Sequence, residues 1–210
     1  MRLAIARLAL CAIAGPLLAA PDLSRHPATV RTAAAVGQTA TRGAGAAAPI
    51  PRSIGDPGDT KVNQFVSYNA STKTVSISLF AALNSAQGGF NFNGGSSGNQ
   101  TITAPLGWKV NFDVRNDDAI PHSAILIKDQ TPVPNGPSTA AFPRAYTDHL
   151  SDGLPAQTGH DTMNFTATPA GNYLIACGVP GHAPSGMYIR FVVSATATVP
   201  TNTGTIASSH

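Results

Sequence analysis

The sequence predicts an all-β fold, a sandwich or barrel of antiparallel strands, from three observations. Thr, Ser, Val, Gly, Asn and Pro are plentiful while Glu is absent, and these residues either suit a pleated surface or interrupt it. Several segments alternate apolar and polar side chains with a period of two, as half-buried strands do. No long run has convincing helical periodicity, so sheets should account for the architecture.

The expected strands follow one another along the chain, separated by Gly-, Asn- and Pro-rich connections. The alternation is clearest in three of them: the segment with Val75, Ile77 and Leu79, the segment 108–115 and the segment 187–193. Each places one face inward and the other outward. In chain order, strands are predicted at residues 63–69, 74–79, 100–104, 108–115, 122–128, 161–168, 172–177 and 187–193.

The longest stretch without a strand pattern, residues 129–159, lies between the fifth and sixth expected strands. It contains several prolines and exceeds the usual length of a connection within a domain. We expect it to be a functional loop or to hold a short helix.

The chain divides into four segments. Residues 1–20 combine two arginines with an apolar run shorter than the roughly 20 residues that span a bilayer, which predicts a signal peptide or a short membrane-targeting segment. Residues 21–60 are rich in Ala, Gly and Pro without apolar periodicity, which indicates a flexible linker. Residues 61–196 form the predicted domain and 197–210 a disordered tail. We therefore expect an exported protein, in the periplasm or on the outer face of the cytoplasmic membrane, either released or tethered by its N-terminus.

Charge argues against nucleic acid as a partner. The chain has 210 residues and a net charge of +3, but only 11% of its residues are charged. Within residues 61–196, seven Lys and Arg side chains are balanced by seven Asp side chains, so the predicted domain is near neutral. Because no basic cluster can neutralise phosphates, we expect no nucleic-acid binding.

One short loop rich in Gly and Pro carries Cys177, His182 and Met187 between the ends of two expected strands. Such a loop can direct a thiolate, an imidazole and a thioether toward one point. The other cysteine, Cys11, lies in the N-terminal apolar run, so the domain has a single thiol. Two soft sulfur donors and an imidazole suit copper better than Mg, Ca or Mn, whereas zinc would need four strong ligands.

A blue copper site needs a second histidine, because its trigonal plane holds two histidines and one cysteine, with a weak axial methionine. His122 is favoured, since it stands where a strand is expected to begin after a turn. His149 and His160 are the competitors. Both have polar neighbours along the chain, so we expect them to be solvated.

The pattern Cys-x4-His-x4-Met with an upstream His-Ser pair resembles the cupredoxins of acidophilic electron-transfer chains. The segments FNFNG at 90–94 and GWKV at 107–110 narrow the resemblance to sulfocyanin-like proteins, and the similarity covers roughly residues 62–193. The resemblance implies a cupredoxin Greek-key β-sandwich. It also implies the copper ligands His122, Cys177, His182 and Met187.

The same resemblance implies a function. One copper ion per chain would cycle between Cu(I) and Cu(II) and carry single electrons between respiratory partners outside the cytoplasmic membrane. The partners would be a redox donor and acceptor, such as a membrane respiratory complex or a cytochrome. The chain would be a monomer without enzymatic turnover.

Two features around the ligands also come from the resemblance. The backbone of Ser123 should lie near the Cys177 sulfur and support it from outside the ligand set. In cupredoxins the loop histidine usually reaches the surface through an apolar patch where partners dock. Here that patch would consist of Val179, Pro180, Ala183 and Pro184.

Two alternative functions stay open beside the electron carrier: copper storage or delivery, and a part in a copper oxidase system. An oxidase needs additional clustered histidines, whereas this chain has six in total and no His-x-His pair. A storage protein would expose tracts rich in Met, His or Cys, and the chain has only three Met and two Cys.

Other conspicuous residues are expected to have structural roles. Phe90, Phe92 and Trp108 should pack in the core. Asn91 and Asn93 should tie loops together by hydrogen bonds. Asp117 and Asp118 are interpreted as turn residues, not as a catalytic pair.

Overall fold

Ten β-strands and one short 3-10 segment make up the regular structure of the computed structural model, which describes residues 58–207. The strands are β1 (Thr60–Lys61), β2 (Val66–Asn69), β3 (Thr74–Ala81), β4 (Gln100–Pro105), β5 (Lys109–Asn116), β6 (Ile125–Lys128), β7 (Gly159–Thr166), β8 (Gly171–Ala176), β9 (Tyr188–Ser194) and β10 (Thr201–Gly204). The 3-10 segment, Ala86–Gly89, lies between β3 and β4. The predicted signal segment 1–20 and residues 21–57 of the predicted linker lie outside the described residues. Within residues 58–207, no helix has the length and apolar character that crossing a bilayer requires.

The strands form two five-stranded sheets, with the orders β1-β2-β3-β5-β7 and β10-β4-β9-β8-β6. The pairs β3–β5 and β4–β9 are parallel and the other pairs antiparallel. The all-β prediction is confirmed, but the expectation of purely antiparallel sheets is wrong. Alternation along a strand indicates which face is buried, and it carries no information about the direction of the neighbouring strand.

The side chains that alternate in the sequence fill the space between the two sheets. Val75, Ile77 and Leu79 of β3 are at most 1% exposed. The ring centroids of Phe112 on β5 and Phe191 on β9 lie 6.1 Å apart, so the two sheets meet directly. Burial of each such side chain stabilises the fold by about 1.5–3 kcal/mol. The sandwich therefore follows from the period-two pattern.

The prediction that residues 197–210 are a disordered tail is wrong for Thr201–Gly204, because these residues form β10. This strand pairs with the edge of β4, with Asn202 opposite Ile102. Its side chains are mostly polar and exposed, so it lacks the apolar alternation from which strands were predicted. Backbone hydrogen bonds to β4 hold it in place, together with the Gln100 side chain, whose Nε2 donates to Asn202 Oδ1 at 3.0 Å.

The long irregular stretch contains no helix between residues 129 and 158, which leaves the functional-loop alternative. Isolated bridges join Tyr146 to Ile125 and Leu154 to His122. The second bridge accounts for the late start of β6, which was expected at residue 122 and begins at Ile125. The loop also buries Phe142 in the core, so it is part of the packed domain.

Candidate metal centre

The candidate metal centre lies where β8 ends and β9 begins. Cys177 directly follows β8 and Met187 directly precedes β9. The Cys177 N–H donates to the Met187 carbonyl at 3.0 Å, and the Met187 N–H donates to the His182 carbonyl at 3.0 Å. The loop between the two strands is thus closed by its own backbone, which draws all three candidate ligands together.

Glycine is required where this loop joins β9. Gly186 has a φ of +105°, a backbone conformation that side-chain-bearing residues rarely adopt. A Cβ there would lie 2.8 Å from Ser97 Oγ, closer than real contacts allow. The Gly-rich composition of the loop therefore permits the tight return that positions Met187.

Three candidate donor atoms converge at the centre. One ligand atom each from His122, Cys177 and His182 lies within 4.8 Å of the others. His122 Nδ1 is 3.2 Å from His182 Nδ1, which is 3.5 Å from Cys177 Sγ. A metal bonds an imidazole nitrogen at about 2.0–2.1 Å and a thiolate at about 2.3 Å. Both of these separations are shorter than the sum of two such bonds, and the remaining pair lies within 4.8 Å, so the three atoms are close enough together to surround one ion.

Burial separates the candidate ligands into two groups. His122 and Cys177 are each 1% exposed and Met187 is fully buried, whereas His182 is half-buried. The backbone of Met187 forms hydrogen bonds with both Cys177 and His182, which places this residue next to two other candidate ligands. The donor set therefore fits copper: one thiolate, two imidazoles and one thioether, shielded from water except on the side of His182.

Ser123 connects the centre to the long loop. Its N–H lies 3.4 Å from Cys177 Sγ, which is the position that the resemblance implied. Its hydroxyl donates to the Leu150 carbonyl at 2.8 Å and accepts the Gly178 N–H at 2.9 Å. One serine thus links the sulfur, the ligand loop and the segment 129–158.

Burial also changes the acid–base properties of two candidate ligands. It raises the pKa of the Cys177 thiol, although N–H groups of Ser123 and Val179 act in the opposite direction. Burial, and next the nearby His122, lower the pKa of His182, which Asp118 partly opposes. The lowered pKa favours a neutral His182 imidazole, which retains the lone pair that a metal needs. The buried Cys177 sulfur favours the thiolate only beside a positive charge.

Asp118 contacts the centre, although it was interpreted as a turn residue. Its Oδ2 lies 3.0 Å from His122 Nε2, on the side of the ring away from the other donors. Burial would raise the pKa of Asp118, but hydrogen bonds from His122 and from the backbone of Ala119 and Ile120 hold it below its ordinary value. A carboxylate four residues before a candidate histidine was the available signal in the sequence.

Phe90 also belongs to the centre and was missed. Its ring stands edge-on to the His182 ring, with 5.0 Å between centroids, and is half-buried rather than part of the inner core. Phe92 is fully buried, as predicted.

The two neighbouring asparagines hold the FNFNG segment that carries Phe90. The Asn91 side chain donates to the Asn84 and Ala86 carbonyls, and the Asn93 side chain accepts the Phe80 N–H and donates to the Ser78 carbonyl. The prediction that these asparagines tie loops together is confirmed.

Other sequence-predicted residues lie elsewhere. His149 and His160 are exposed, and His160 pairs with Asp113 on the neighbouring strand. Trp108 is buried against Tyr68, with ring centroids 6.0 Å apart, which confirms its packing role.

The predicted docking patch needs a correction. Pro180 and Pro184 are exposed and Val179 is half-buried. Ala183 is only 1% exposed and packs in a small apolar cluster with Ile125, so it cannot form part of a surface. The sequence around Ala183 does not indicate which side chains of the loop face inward.

Similarity to known proteins extends over most of the described chain. A sequence model of a family described as "Sulfocyanin (SoxE) domain" matches residues 61–204. Sulfocyanin of Sulfolobus acidocaldarius is 31% identical over 144 residues, which cover 63% of this chain and 70% of that protein. Among solved structures, reduced rusticyanin is 26% identical, with 58% of this chain and 85% of that chain covered and a TM-score of 0.41. Auracyanin A, a "blue" copper protein of Chloroflexus aurantiacus, is 22% identical, with 58% and 99% covered and a TM-score of 0.41.

Proposed function

Because this chain belongs to the sulfocyanin family of blue copper electron-transfer proteins, we propose that it carries single electrons between respiratory partners outside the cytoplasmic membrane. The single copper ion would be held by His122, Cys177, His182 and Met187. The observation that carries this assignment is the convergence of the first three donor atoms within 4.8 Å of one another. Copper held by such a donor set exchanges one electron with little change in its coordination.

The protein contributes a rigid and largely dry binding site. Burial of Cys177 and Met187 excludes water from the two sulfur donors. The backbone bonds that close the ligand loop, together with Ser123, restrict movement of the sulfur. A site whose donors are held in this way needs little reorganisation, which favours rapid electron exchange.

The route for the electron would run through His182, because it is the one proposed ligand that is not buried. Phe90 borders its ring, and Val179 and the exposed Pro180 precede it along the loop. We define the docking surface as Phe90, Val179, Pro180 and Pro184. Since the domain is near neutral, apolar contact at this surface would contribute more to docking than long-range charge attraction.

The partners would be a redox donor and a redox acceptor, such as a membrane respiratory complex or a cytochrome, and the chain would act as a monomer without turnover of a substrate. The signal-like composition of residues 1–20 supports export. Expressed with that segment in a bacterial host, the protein should be recovered outside the cytoplasm; retention in the cytoplasm would contradict this part of the proposal.

Reconstitution with Cu(II) tests the proposed function. The full chain should develop an intense thiolate-to-copper charge-transfer absorption in the visible range and a narrow copper hyperfine splitting, at one copper per chain. A colourless protein that binds zinc equally well would overturn the proposal. Several loosely held copper ions per chain would instead support storage or delivery.

A further inference from the structure

Asp118 makes a specific contact with the imidazole of His122. The His122 ring is 1% exposed, and its two nitrogens face different groups: Nδ1 lies 3.2 Å from His182 Nδ1, and Nε2 lies 3.0 Å from Asp118 Oδ2. We propose that Asp118 is a positioning residue of the metal centre, whose carboxylate sets the tautomer and orientation of His122 and adds a negative charge behind it. This inference rests on the proposed function, because it takes His122 to be a copper ligand.

The tautomer follows from the hydrogen-bonding capacity of the two side chains. A neutral imidazole has one N–H and one nitrogen with a free lone pair, and an ionised carboxylate can only accept hydrogen bonds. The proton must therefore be on His122 Nε2, where it is donated to Asp118. The lone pair is then on Nδ1, which faces Cys177 and His182. Binding partners of this kind orient metal-bound histidines and increase the basicity of the free nitrogen.

The backbone on both sides of this contact is fixed by the same scaffold. The fully buried Asn116 accepts the Asp118 N–H on its Oδ1 at 3.2 Å, and the Gln157 N–H donates to the Asp118 carbonyl at 2.8 Å. The His122 carbonyl accepts the Leu154 N–H at 2.7 Å. Asp118 is thus held in register with His122 by residues of the 154–157 segment, unlike a freely moving surface carboxylate.

The charge has an effect separate from the hydrogen bond. A carboxylate on the far side of a ligand ring stabilises the more positively charged oxidation state of a bound ion, and partial exposure of Asp118 weakens this effect without removing it. The centre should therefore prefer Cu(II) over Cu(I) more strongly with Asp118 ionised than with a neutral residue there.

The neighbouring carboxylate provides a matched control. Asp117 is exposed and lines a surface groove with Arg115 and His160, and the carboxylate that contacts the His122 ring is that of Asp118. Asp117→Asn removes the same charge one residue away and leaves the His122 hydrogen bond intact. Any effect specific to Asp118 must therefore exceed that of the control.

Three variants separate the two roles. In Asp118→Asn the amide oxygen still accepts from Nε2 but the charge is lost, and in Asp118→Ala both are lost. We expect Cu(II) affinity to fall by about 10–100-fold in Asp118→Ala and by less in Asp118→Asn. In Asp117→Asn the affinity should stay within about twofold of the original, because an exposed charge contributes little. The reduction potential should rise in both Asp118 variants and not in the control.

A second measurement needs no copper. Nitrogen-15 NMR of the metal-free protein should show His122 protonated on Nε2 in the original chain and in Asp118→Asn, with protonation shifted toward Nδ1 in Asp118→Ala. Should Asp118→Ala fail to fold, the Asn variant still tests the charge through the potential. Equal potentials and affinities in Asp118→Asn and Asp117→Asn, or an unchanged tautomer in Asp118→Ala, would overturn the proposal. A wild-type chain without the charge-transfer band would overturn the proposed function instead, while the metal-free tautomer would still report on Asp118.

Discussion

The two segments that supply the proposed ligands are held in different ways. The loop 177–187 provides three donors and closes on itself, since Cys177 N–H donates to Met187 and Met187 N–H donates to His182. These two hydrogen bonds lie within the loop, and residues outside it add further ones: Ser123 bonds to Gly178 and Ser97 to Gly186.

The turn 116–122 provides only His122 and depends on distant residues. The Asn116 side chain donates to the Leu154 and Pro155 carbonyls, and the backbone of His122 bridges to Leu154. The comparison shows that the ligand loop is closed by its own backbone as well as by outside contacts, whereas the turn with His122 is held by the long loop that packs against it. Variants in the two segments should therefore fail in different ways.

The largest effect is expected from Cys177→Ser, which removes the only thiolate of the ligand loop. We expect the charge-transfer band to disappear. Copper affinity should fall by more than roughly 100-fold, the upper end of the loss expected when a ligand's hydrogen-bond partner is removed. Titration with Cu(II), followed by visible absorption, measures both. His160→Gln, at an exposed histidine outside the centre, should keep the band. A coloured Cys177→Ser protein would contradict the ligand assignment.

Asn116→Ala tests the half that depends on distant contacts. The Asn116 side chain is fully buried and donates to the Ile120, Leu154 and Pro155 carbonyls at 2.9–3.1 Å. Loss of these bonds should lower the free energy of unfolding by roughly 2–3 kcal/mol, because one buried and two partly buried carbonyls lose this donor. Urea unfolding of the metal-free protein measures the change.

The matched control for this variant is Asn164→Ala. Asn164 is half-buried on β7 and its side chain makes one long hydrogen bond of 3.4 Å, to Thr162. The control should lose well under 1 kcal/mol, within the usual range for a surface substitution. Similar losses in the two variants would mean that Asn116 does not organise the turn.

Gly186→Ala tests the local closure of the ligand loop. The variant must adopt a φ of +105° and place a Cβ 2.8 Å from Ser97 Oγ. We expect a loss of about 1–3 kcal/mol in the free energy of unfolding, together with a shifted copper spectrum. Gly107→Ala is the control, since Gly107 has a φ of +81° but open space around it and lies far along the chain from the ligands. An unshifted spectrum in Gly186→Ala would show that the loop closes without this turn.

The smallest structural effect, and a purely kinetic one, is expected from Pro180→Asp, at an exposed position of the docking surface. A charge beside His182 should slow electron exchange severalfold by weakening apolar docking, while the copper spectrum stays the same. Val199→Asp provides the control, because Val199 is 41% exposed and follows the far end of β9. Stopped-flow exchange with a redox partner distinguishes the two. Equal rates would count against the docking surface.

Some parts of this protein could be predicted from residue patterns because the underlying interactions are local. The strands containing Val75, Phe112 and Ile189 were predicted from alternation, which the pleat of a strand imposes on any half-buried segment. The cupredoxin class was implied by the ligand-loop spacing, and membership of the sulfocyanin family confirms it.

Other features depend on which segments meet in space, and no local pattern encodes them. The polar strand Thr201–Gly204 exists because the edge of β4 offers backbone partners. Ala183 is buried because a cluster from β6 and β8 lies beneath it. Phe90 borders His182 because the Asn93 side chain holds its segment against Ser78 and Phe80 of β3.

Composition and spacing within one strand or loop were enough to predict the alternating core, the near-neutral domain and the grouping of Cys177, His182 and Met187. Packing of the whole domain produces the parallel strand pairs, the convergence of His122 with the loop and the carboxylate of Asp118 behind it. These features need contacts between residues far apart in the chain, such as Asn116 with Leu154, and such contacts form only when the whole sandwich packs.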